Sequence, residues 1–221
     1  MLDGAVHRLL PPGVAVAERT GDVEPPPLAP EEAAAAPSAS AGRQRQLAAS
    51  RACAREAIAW LGMTPAPVGS GPDREPLWPP GVVGGITHCA GYCAAAVARR
   101  DRCAAVGIDA EVDRPLPRGV VDRVARDEER AWLAARRDAG AAWDRLLFSA
   151  KESVFKAWFP LTGRWLGFHD AIVTFDLPSR TFLARLLVPG PVVDGRQVAA
   201  FEGRYAVADG LLLTAVAVVR D

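Results

Sequence analysis

The stretch FSAKESVFKAWF (residues 148–159) decides the fold of the second half of the chain. Apolar side chains recur at helical spacing in it and in the residue just before it: Leu147, Val154 and Trp158. This periodicity predicts a helix over about 143–159 that buries one face in a core. Glu152 and Lys156 lie four residues apart and are therefore neighbours on that helix, and the buried face fixes the direction in which this polar pair points.

Two ordinary explanations compete with a functional role for the pair. Glu152 and Lys156 could form an exposed ion pair that only stabilises the helix. Ser149 and Glu152 could instead form a capping box, although the apolar residues before Ser149 indicate an earlier helix start. Composition favours function, because Lys151 and Lys156 are the only lysines among 26 basic residues. The ammonium of lysine is a compact, mobile charge, and a planar guanidinium cannot always replace it where it must contact an oxygen. These two positions are therefore candidates for a chemical role.

The sequence GIDAE (residues 107–111) places two acids two positions apart. It continues a predicted strand, 104–110, in which successive side chains point to opposite faces. Asp109 and Glu111 therefore share one face, and the apolar residues between and beside them share the other. Magnesium binds through one or a few carboxylates, waters and phosphate oxygens, so this pair could hold it. The alternative is a strand end with two solvated acids.

A third motif, GGITHCAGYC (residues 84–93), combines glycines with polar side chains. The glycines let a ligand approach the backbone closely, and the Thr87 hydroxyl and the His88 imidazole can both bond a phosphate. A structural histidine is the ordinary alternative. A zinc site is disfavoured because its cysteines lack paired C-x-x-C spacing. Its ligands would be His88, Cys89, Cys93 and Cys103.

The remaining pattern alternates helices and strands. Residues 21–42 are rich in proline, including Pro37, and are predicted to form a wrapping loop or linker without a continuous helix. A helix over about 43–61 follows, whose arginines would ordinarily line a solvated face. Other predicted elements are a helix at 127–137 and strands at 82–88, 93–98, 171–176, 181–188, 197–202 and 205–219. The order helix, strands, helices, strands predicts an α+β protein with two similar halves.

Composition limits the classes of function. Of 221 residues, 50% are apolar and 24% are charged, so the chain can bury a core as one large domain or two small lobes. The 26 basic and 26 acidic residues cancel, which argues against a general nucleic-acid or membrane-surface role. Four scattered cysteines and no recognisable secretory signal predict a cytoplasmic protein. Residues 76–98 carry no charge, but their prolines and glycines predict buried strand and loop.

Taken together, three motifs closely resemble the 4′-phosphopantetheinyl transferases of the two-lobed, single-chain type: THCAGY (87–92), VGIDAE (106–111) and FSAKESVFKAWFPLT (148–162). The likeness extends from about residue 43 to residue 168. It implies transfer of the phosphopantetheine arm of coenzyme A, the co-substrate, to a serine of an acyl or peptidyl carrier protein. Adenosine 3′,5′-bisphosphate would be the second product.

The resemblance also implies roles for the residues of these motifs. The family's ligands for Mg²⁺, with Mn²⁺ as the alternative, correspond to Asp109, Glu111 and Glu152. The residues that match catalytic positions are Glu152, Lys156 and Asp109, with Glu152 the candidate base for the serine proton. Lys151 and Lys156 match the lysines that would pair with phosphate oxygens.

Coenzyme A contacts are implied in the first half of the chain. Positions that match the binding site of the 3′-phosphate are Thr87, His88, Arg43 and Arg51. Glu75 and Pro76 lie in the loop that would border the adenine. That loop departs from the family, in which lysines are common, because it carries Ser70, Asp73 and Arg74. His169 stands where an acid is common, which we interpret as a surface change.

The implied fold is a pair of pseudo-symmetric α/β lobes, each a small antiparallel sheet packed on a long helix. Residues 1–104 would form the lobe on the coenzyme A side, and residues 105–221 the lobe with the metal and the catalytic helix. Because two internal lobes complete one site, a monomer is expected. Two alternatives stay open: a non-catalytic coenzyme A-binding module, and a hydrolase that cleaves the coenzyme A pyrophosphate with water.

Overall fold

The computed structural model describes residues 4–21, 24–34, 39–136 and 140–220. The helices are α1 (Pro30–Ala33), α2 (Ala41–Trp60), α3 (Val121–Val124), α4 (Asp127–Ala134) and α5 (Trp143–Thr162). The first strands are β1 (Val14–Thr20), β2 (Gly69–Ser70), β3 (Pro76–Leu77), β4 (Val82–Cys89), β5 (Tyr92–Arg99) and β6 (Cys103–Val112). The later strands are β7 (Ala171–Asp176), β8 (Thr181–Leu186), β9 (Val192–Val193), β10 (Arg196–Gln197), β11 (Ala200–Ala208) and β12 (Leu211–Val219).

The first half of the chain packs one long helix on a three-stranded sheet. The sheet is antiparallel with the order β1-β5-β4, and α2 covers one of its faces. Cys53, Ala57 and Ile58 of α2 are fully buried against it. The many alanines of β5 allow this close contact because they add little volume between helix and sheet.

The second half repeats the arrangement on a larger scale. Its sheet is antiparallel with the order β6-β12-β11-β8-β7, and α5 lies on it. The apolar stripe predicted for this helix is buried in the core: Leu147, Val154 and Trp158. The helix begins at Trp143, well before Ser149, which removes the capping-box explanation for Glu152.

A third core joins the two sheets on the faces that the long helices leave free. Val83 of the first sheet packs there with Ile108 and Leu213 of the second. The α+β class and the two similar helix-on-sheet halves are therefore confirmed. The chain passes from one sheet to the other between Arg99 and Cys103. The division into lobes of 1–104 and 105–221 stays a prediction.

A glycine on β6 sets the distance between this strand and α5. A Cβ atom at Gly107 would lie 2.0 Å from the Ser153 carbonyl oxygen and 2.8 Å from the Ala157 nitrogen. No side chain fits in that space, so the helix backbone rests directly on the strand. This contact brings the residues after Gly107 beside the polar face of α5.

Several details differ from the sequence-based expectations. The strand β1 was not predicted, and the one-turn helix α1 lies within the proposed linker, whose Pro37 is outside the described residues. The helix predicted at 127–137 ends at Ala134, and Arg137 is also outside them.

The predicted break between the last two strands, at 203–204, is wrong. The turn is formed by Asp209 and Gly210, whose φ angles of 49° and 76° suit a two-residue hairpin. Gly203 instead lies inside β11, where it makes room for the ring of Phe182.

Candidate active site

Asp109 is a buried carboxylate at the point where β4, β6 and α5 meet. Its Oδ1 accepts a hydrogen bond from Lys156 Nζ over 2.7 Å and one from the Thr87 hydroxyl over 3.4 Å. Lys156 also donates to the Ile108 carbonyl over 3.0 Å. The Thr87 hydroxyl accepts from the Ala110 amide over 2.9 Å. The two sheets and the helix therefore fix the position of this carboxylate.

The other oxygen of this carboxylate, Asp109 Oδ2, is buried and has no hydrogen-bond partner in the described part of the chain. A buried acceptor left unsatisfied costs about 1–3 kcal/mol. A divalent cation would remove this cost, since carboxylate oxygens are the donors that Mg²⁺ prefers. The residues present thus fit a hard metal ion at Asp109.

Glu152 faces the same space from α5. Burial is the largest of the causes that raise the pKa of Glu152 to about 7. The negative charges of Asp109 and Glu111 act in the same direction, and the charge of Lys156 opposes them. The carboxylates of Asp109 and Glu111 therefore repel that of Glu152. A bound cation would relieve that repulsion.

Glu111, the other acid of β6, is paired with Arg145. Its Oε2 accepts a hydrogen bond from Arg145 Nη1 over 2.6 Å, and both side chains are largely shielded from water. Sequence reasoning missed Arg145. Its spacing could have indicated it, because Arg145 lies seven residues, about two helical turns, before Glu152 and so on the same side of α5.

The predicted ligands do not form a ready-made metal cage. Among the residues that the structure describes, no three histidine, cysteine, aspartate or glutamate side chains are arranged to hold one ion. Two of the three acids already have one oxygen bonded within the protein, since Lys156 bonds Asp109 Oδ1 and Arg145 bonds Glu111 Oε2. The ligand set Asp109, Glu111 and Glu152 stays a prediction.

A basic contact lies next to these acids. Arg43 Nη1, in the first turn of α2, lies 2.9 Å from His88 Nε2. Burial and the charge of Arg43 lower the pKa of His88. Because a guanidinium can only donate, His88 Nε2 is the acceptor of this bond. Lys156 also lowers the pKa of His88, and Asp109 raises it. The basic residues of the first half therefore adjoin the acids of the second half.

Arg51 is the buried base of this region. Its Nη2 donates to the Ser70 hydroxyl over 2.7 Å and to the Gly69 carbonyl over 3.3 Å. Its Nε is buried and unpaired within the described residues. Burial lowers the pKa of Arg51, the charge of Glu32 opposes this, and the charge of Arg43 lowers the pKa further. An anion between these guanidinium groups would satisfy the free donor and relieve the repulsion.

Glu75 and Pro76 lie on the β2–β3 hairpin, which also carries the two acceptors of Arg51. Pro76 pairs with Ser70 across the β2–β3 ladder, and the Glu75 carboxylate accepts from the Asp73 amide over 3.0 Å. Arg74 occupies the turn with a φ of 66°. The hairpin therefore lies beside Arg51, and the adenine contact of Glu75 and Pro76 stays a prediction.

Lys151 does not lie where the resemblance implied. It is 4% exposed, and its Nζ is enclosed by the second half of the protein. It donates to Glu129 Oε2 over 2.7 Å and lies near three carbonyl oxygens: those of Phe168, Val124 and Ala171. An ammonium with these partners cannot also bind a phosphate, so the expected phosphate contact of Lys151 is corrected to an internal ion pair.

Thr87 needs the same correction, because its hydroxyl already bonds Asp109 and Ala110 and is buried. It positions the carboxylate and is not free to bond a phosphate. The disfavoured zinc site is absent from the described chain. Cys93 instead faces Cys53 across 3.7 Å between their sulfur atoms, and all four cysteines are free thiols.

An apolar cavity of about 130 Å³ opens beside Glu152. Its walls include Phe155, Trp165 and Phe168. Trp165 is 75% exposed, which is unusual for so large an apolar side chain. Sequence analysis did not single out this cavity, because its residues come from α5, from the loop that follows it and from the strands β7 and β8.

Two family models match the chain. The family model described as 4′-phosphopantetheinyl transferase N-terminal domain matches residues 31–98, and the one described as 4′-phosphopantetheinyl transferase superfamily matches residues 105–208. No helix within the described ranges has the length and apolar character needed to cross a membrane.

Three relatives cover most of the chain. The 4′-phosphopantetheinyl transferase Svp of Streptomyces mobaraensis is 53% identical over 193 residues, which are 86% of this chain and 78% of Svp. PptT of Mycobacterium tuberculosis is 46% identical over 199 residues, 87% of this chain and 88% of PptT. Npt of Nocardia iowensis is 44% identical over 220 residues, 96% of this chain and 99% of Npt. The resemblance carried by the three motifs is thereby confirmed, and the chain belongs to the 4′-phosphopantetheinyl transferase superfamily.

Proposed function

We propose that this chain transfers the 4′-phosphopantetheine arm of coenzyme A to a serine hydroxyl of apo acyl or peptidyl carrier proteins. The observation that carries the proposal is the unpaired, buried Oδ2 of Asp109, next to Lys156 and Glu152 and adjacent to a basic cluster. A pyrophosphate with its cation needs acids and bases in this proximity.

In the proposed reaction the serine oxygen forms a bond to the β-phosphorus of coenzyme A, the one that carries the pantetheine arm. The bond between that phosphorus and the bridging pyrophosphate oxygen breaks, and adenosine 3′,5′-bisphosphate leaves. Glu152 takes the serine proton, directly or through one water. Lys156, whose ammonium already reaches the acid cluster, pairs with phosphate oxygens.

Asp109, Glu111 and Glu152 would hold Mg²⁺, or Mn²⁺ in its place. The ion supplies charge neutralisation at the pyrophosphate and at the leaving phosphate. Asp109 supports this assignment most directly, through its unsatisfied oxygen. Arg43, Arg51 and His88 would bind the 3′-phosphate, which the unpaired Nε of Arg51 supports. The hairpin with Glu75 and Pro76 would border the adenine.

The partners follow from the same proposal. The apolar cavity beside Glu152 has the chemistry to accept the aliphatic part of the arm, and carrier proteins would present their serine at its mouth. We also infer a monomer that works in the cytoplasm without nucleic acid or membrane. The four free thiols and the balance of 26 basic and 26 acidic residues support this inference.

Product analysis separates this function from its alternatives. The protein is incubated with coenzyme A and Mg²⁺, with and without an apo-carrier protein, and the nucleotide products are separated by chromatography. A transferase releases adenosine 3′,5′-bisphosphate only when the carrier is present. Release of free 4′-phosphopantetheine without any carrier would identify a hydrolase, and binding of coenzyme A with no product would identify a binding module.

A further inference from the structure

We propose that Arg145 is a positioning residue that holds Glu111 in place for the metal ion. The proposal rests on the proposed function, because it assumes that Glu111 contributes to a divalent-cation site. Arg145 itself touches neither substrate nor ion in this role. It acts through the Glu111 carboxylate, to which its Nη1 donates over 2.6 Å.

The guanidinium of Arg145 is fixed by bonds to the loop that follows β6. Its Nε donates to the Arg114 carbonyl over 2.6 Å, and its Nη2 donates to the Pro115 carbonyl over 3.2 Å. Two donors of this planar group are thus held by two carbonyl acceptors of the loop. An arginine held in this way presents its remaining donor to Glu111 in a single direction.

The same loop is tied to the start of α5 by two further acids. Asp113 Oδ1 accepts from the Ala142 amide over 2.8 Å. Asp144 Oδ2 accepts from the Leu116 amide over 3.0 Å. These bonds join the end of the strand that carries Glu111 to the start of the helix that carries Glu152. We call this set of contacts the β6–α5 clasp, made by residues 111–116 and 142–145.

The pairing leaves part of Glu111 available. Arg145 contacts Oε2, and no donor in the described part of the chain reaches Oε1. A carboxylate that ligates a metal is commonly oriented by a hydrogen bond from an outer residue, and losing that residue costs about 10- to 100-fold in metal affinity or activity. Glu111 with Arg145 has this arrangement, with one oxygen held and the other open.

The test is a titration with Mn²⁺ in the presence of coenzyme A, followed by electron paramagnetic resonance of the free ion. We expect Arg145→Met to weaken Mn²⁺ binding by about 10- to 100-fold. Arg145→Lys keeps the charge but not the three-pronged geometry, so it should fall between Arg145→Met and the wild type. If Arg145→Met does not fold, as judged by its thermal melt, Arg145→Lys decides the question alone.

Two controls make the result specific. Arg220, like Arg145, bonds one carboxylate and a backbone carbonyl, those of Asp194 and Arg100. Arg220→Met should leave Mn²⁺ affinity unchanged. In a Glu111→Gln background, Arg145→Met should have no further effect, because the residue through which it acts is gone. Additive losses in the double variant would overturn the proposal.

Activity provides the second readout. Raising the Mg²⁺ concentration should restore most of the transfer rate of a folded Arg145→Met variant. Unchanged Mn²⁺ affinity in that variant would overturn the role of Arg145 whatever its activity. If the wild type binds Mn²⁺, Arg145→Met loses binding and neither transfers the arm, the positioning role stands and the proposed function fails.

Discussion

Lys156 on α5 and Asp109 on β6 form an ion pair that links the helix to the strand. The ammonium lies 2.7 Å from Asp109 Oδ1, while Asp109 Oδ2 is buried without a partner. One oxygen is thus neutralised by the protein, and the other is left for a cation. The contact forms because Gly107 lets α5 rest directly on β6.

Replacing Asp109 by asparagine should reduce transfer to carrier protein by about 100-fold or more, because removal of a metal-binding charge raises the barrier by several kcal/mol. The rate is measured at saturating coenzyme A and Mg²⁺. Glu202→Gln, a change of the same chemistry at an exposed site on β11, serves as the control. Equal rates for the wild type and the Asp109 variant would remove Asp109 from the site.

Replacing Arg51 by methionine should weaken binding of coenzyme A by about 10- to 100-fold, since a charge-assisted hydrogen bond contributes about 1.5–3 kcal/mol. The loss should vanish with 3′-dephospho-coenzyme A, which lacks the group that Arg51 would bind. Isothermal titration measures both ligands. Arg45→Met, at an exposed position of the same helix, is the matched control. An equal loss for both ligands would show that Arg51 only supports the fold.

Lys151 provides the opposite case, a motif residue with a structural role. Lys151→Met should lower the free energy of unfolding by about 3–5 kcal/mol, because it leaves the buried charge of Glu129 unpaired. Adding Glu129→Gln should recover part of this loss, because the amide removes the unpaired charge and its oxygen can still accept from the buried Val173 amide. Urea titration measures both effects. Folded Lys151→Met should bind coenzyme A as the wild type does. A selective loss of affinity for coenzyme A without a loss of stability would restore its predicted phosphate contact.

The first half should lose stability in acid through Glu32. Burial alone would raise the pKa of Glu32, but hydrogen bonds from Arg55, Ala29 and Val68 outweigh it and hold the pKa below its ordinary value of 4.5. A carboxyl group with a lowered pKa contributes stability above its unfolded pKa, and this contribution disappears as the pH falls through the folded pKa.

Thermal melts of the wild type and of Glu32→Gln between pH 3 and pH 8 measure this effect. The stability difference should be constant at neutral pH and should shrink below about pH 4.5. A difference that does not change with pH would mean that the ionised form of Glu32 adds nothing.

Much of the site could be predicted from the sequence because its motifs have local periodicity. The spacing of Asp109 and Glu111 on a strand, and of Glu152 and Lys156 on a helix, fixes which side chains share a face. The buried stripe of α5 fixes the direction of that helix. Periodicity therefore predicted both the helix and the acids that meet beside it.

The sequence could not predict which partner each polar side chain has. Lys151 and Lys156 look alike in the motif, yet one pairs with Glu129 from α4 and the other with Asp109 from β6. These partners come from separate elements that meet only in the folded chain. The position of Arg145 on the Glu152 side of α5 was visible in the sequence, but its pairing was not, since its acceptors lie about 30 positions away in the loop after β6.

The most direct test of the central claim is the intact mass of several apo-carrier proteins after incubation with this protein, coenzyme A and Mg²⁺. We predict a mass gain of one phosphopantetheine arm on at least one carrier. The gain should disappear with a chelator and with Glu152→Gln, while Glu202→Gln keeps it. A gain that persists with Glu152→Gln, or no gain on any carrier of the fatty-acid, polyketide and nonribosomal-peptide classes, would contradict the account.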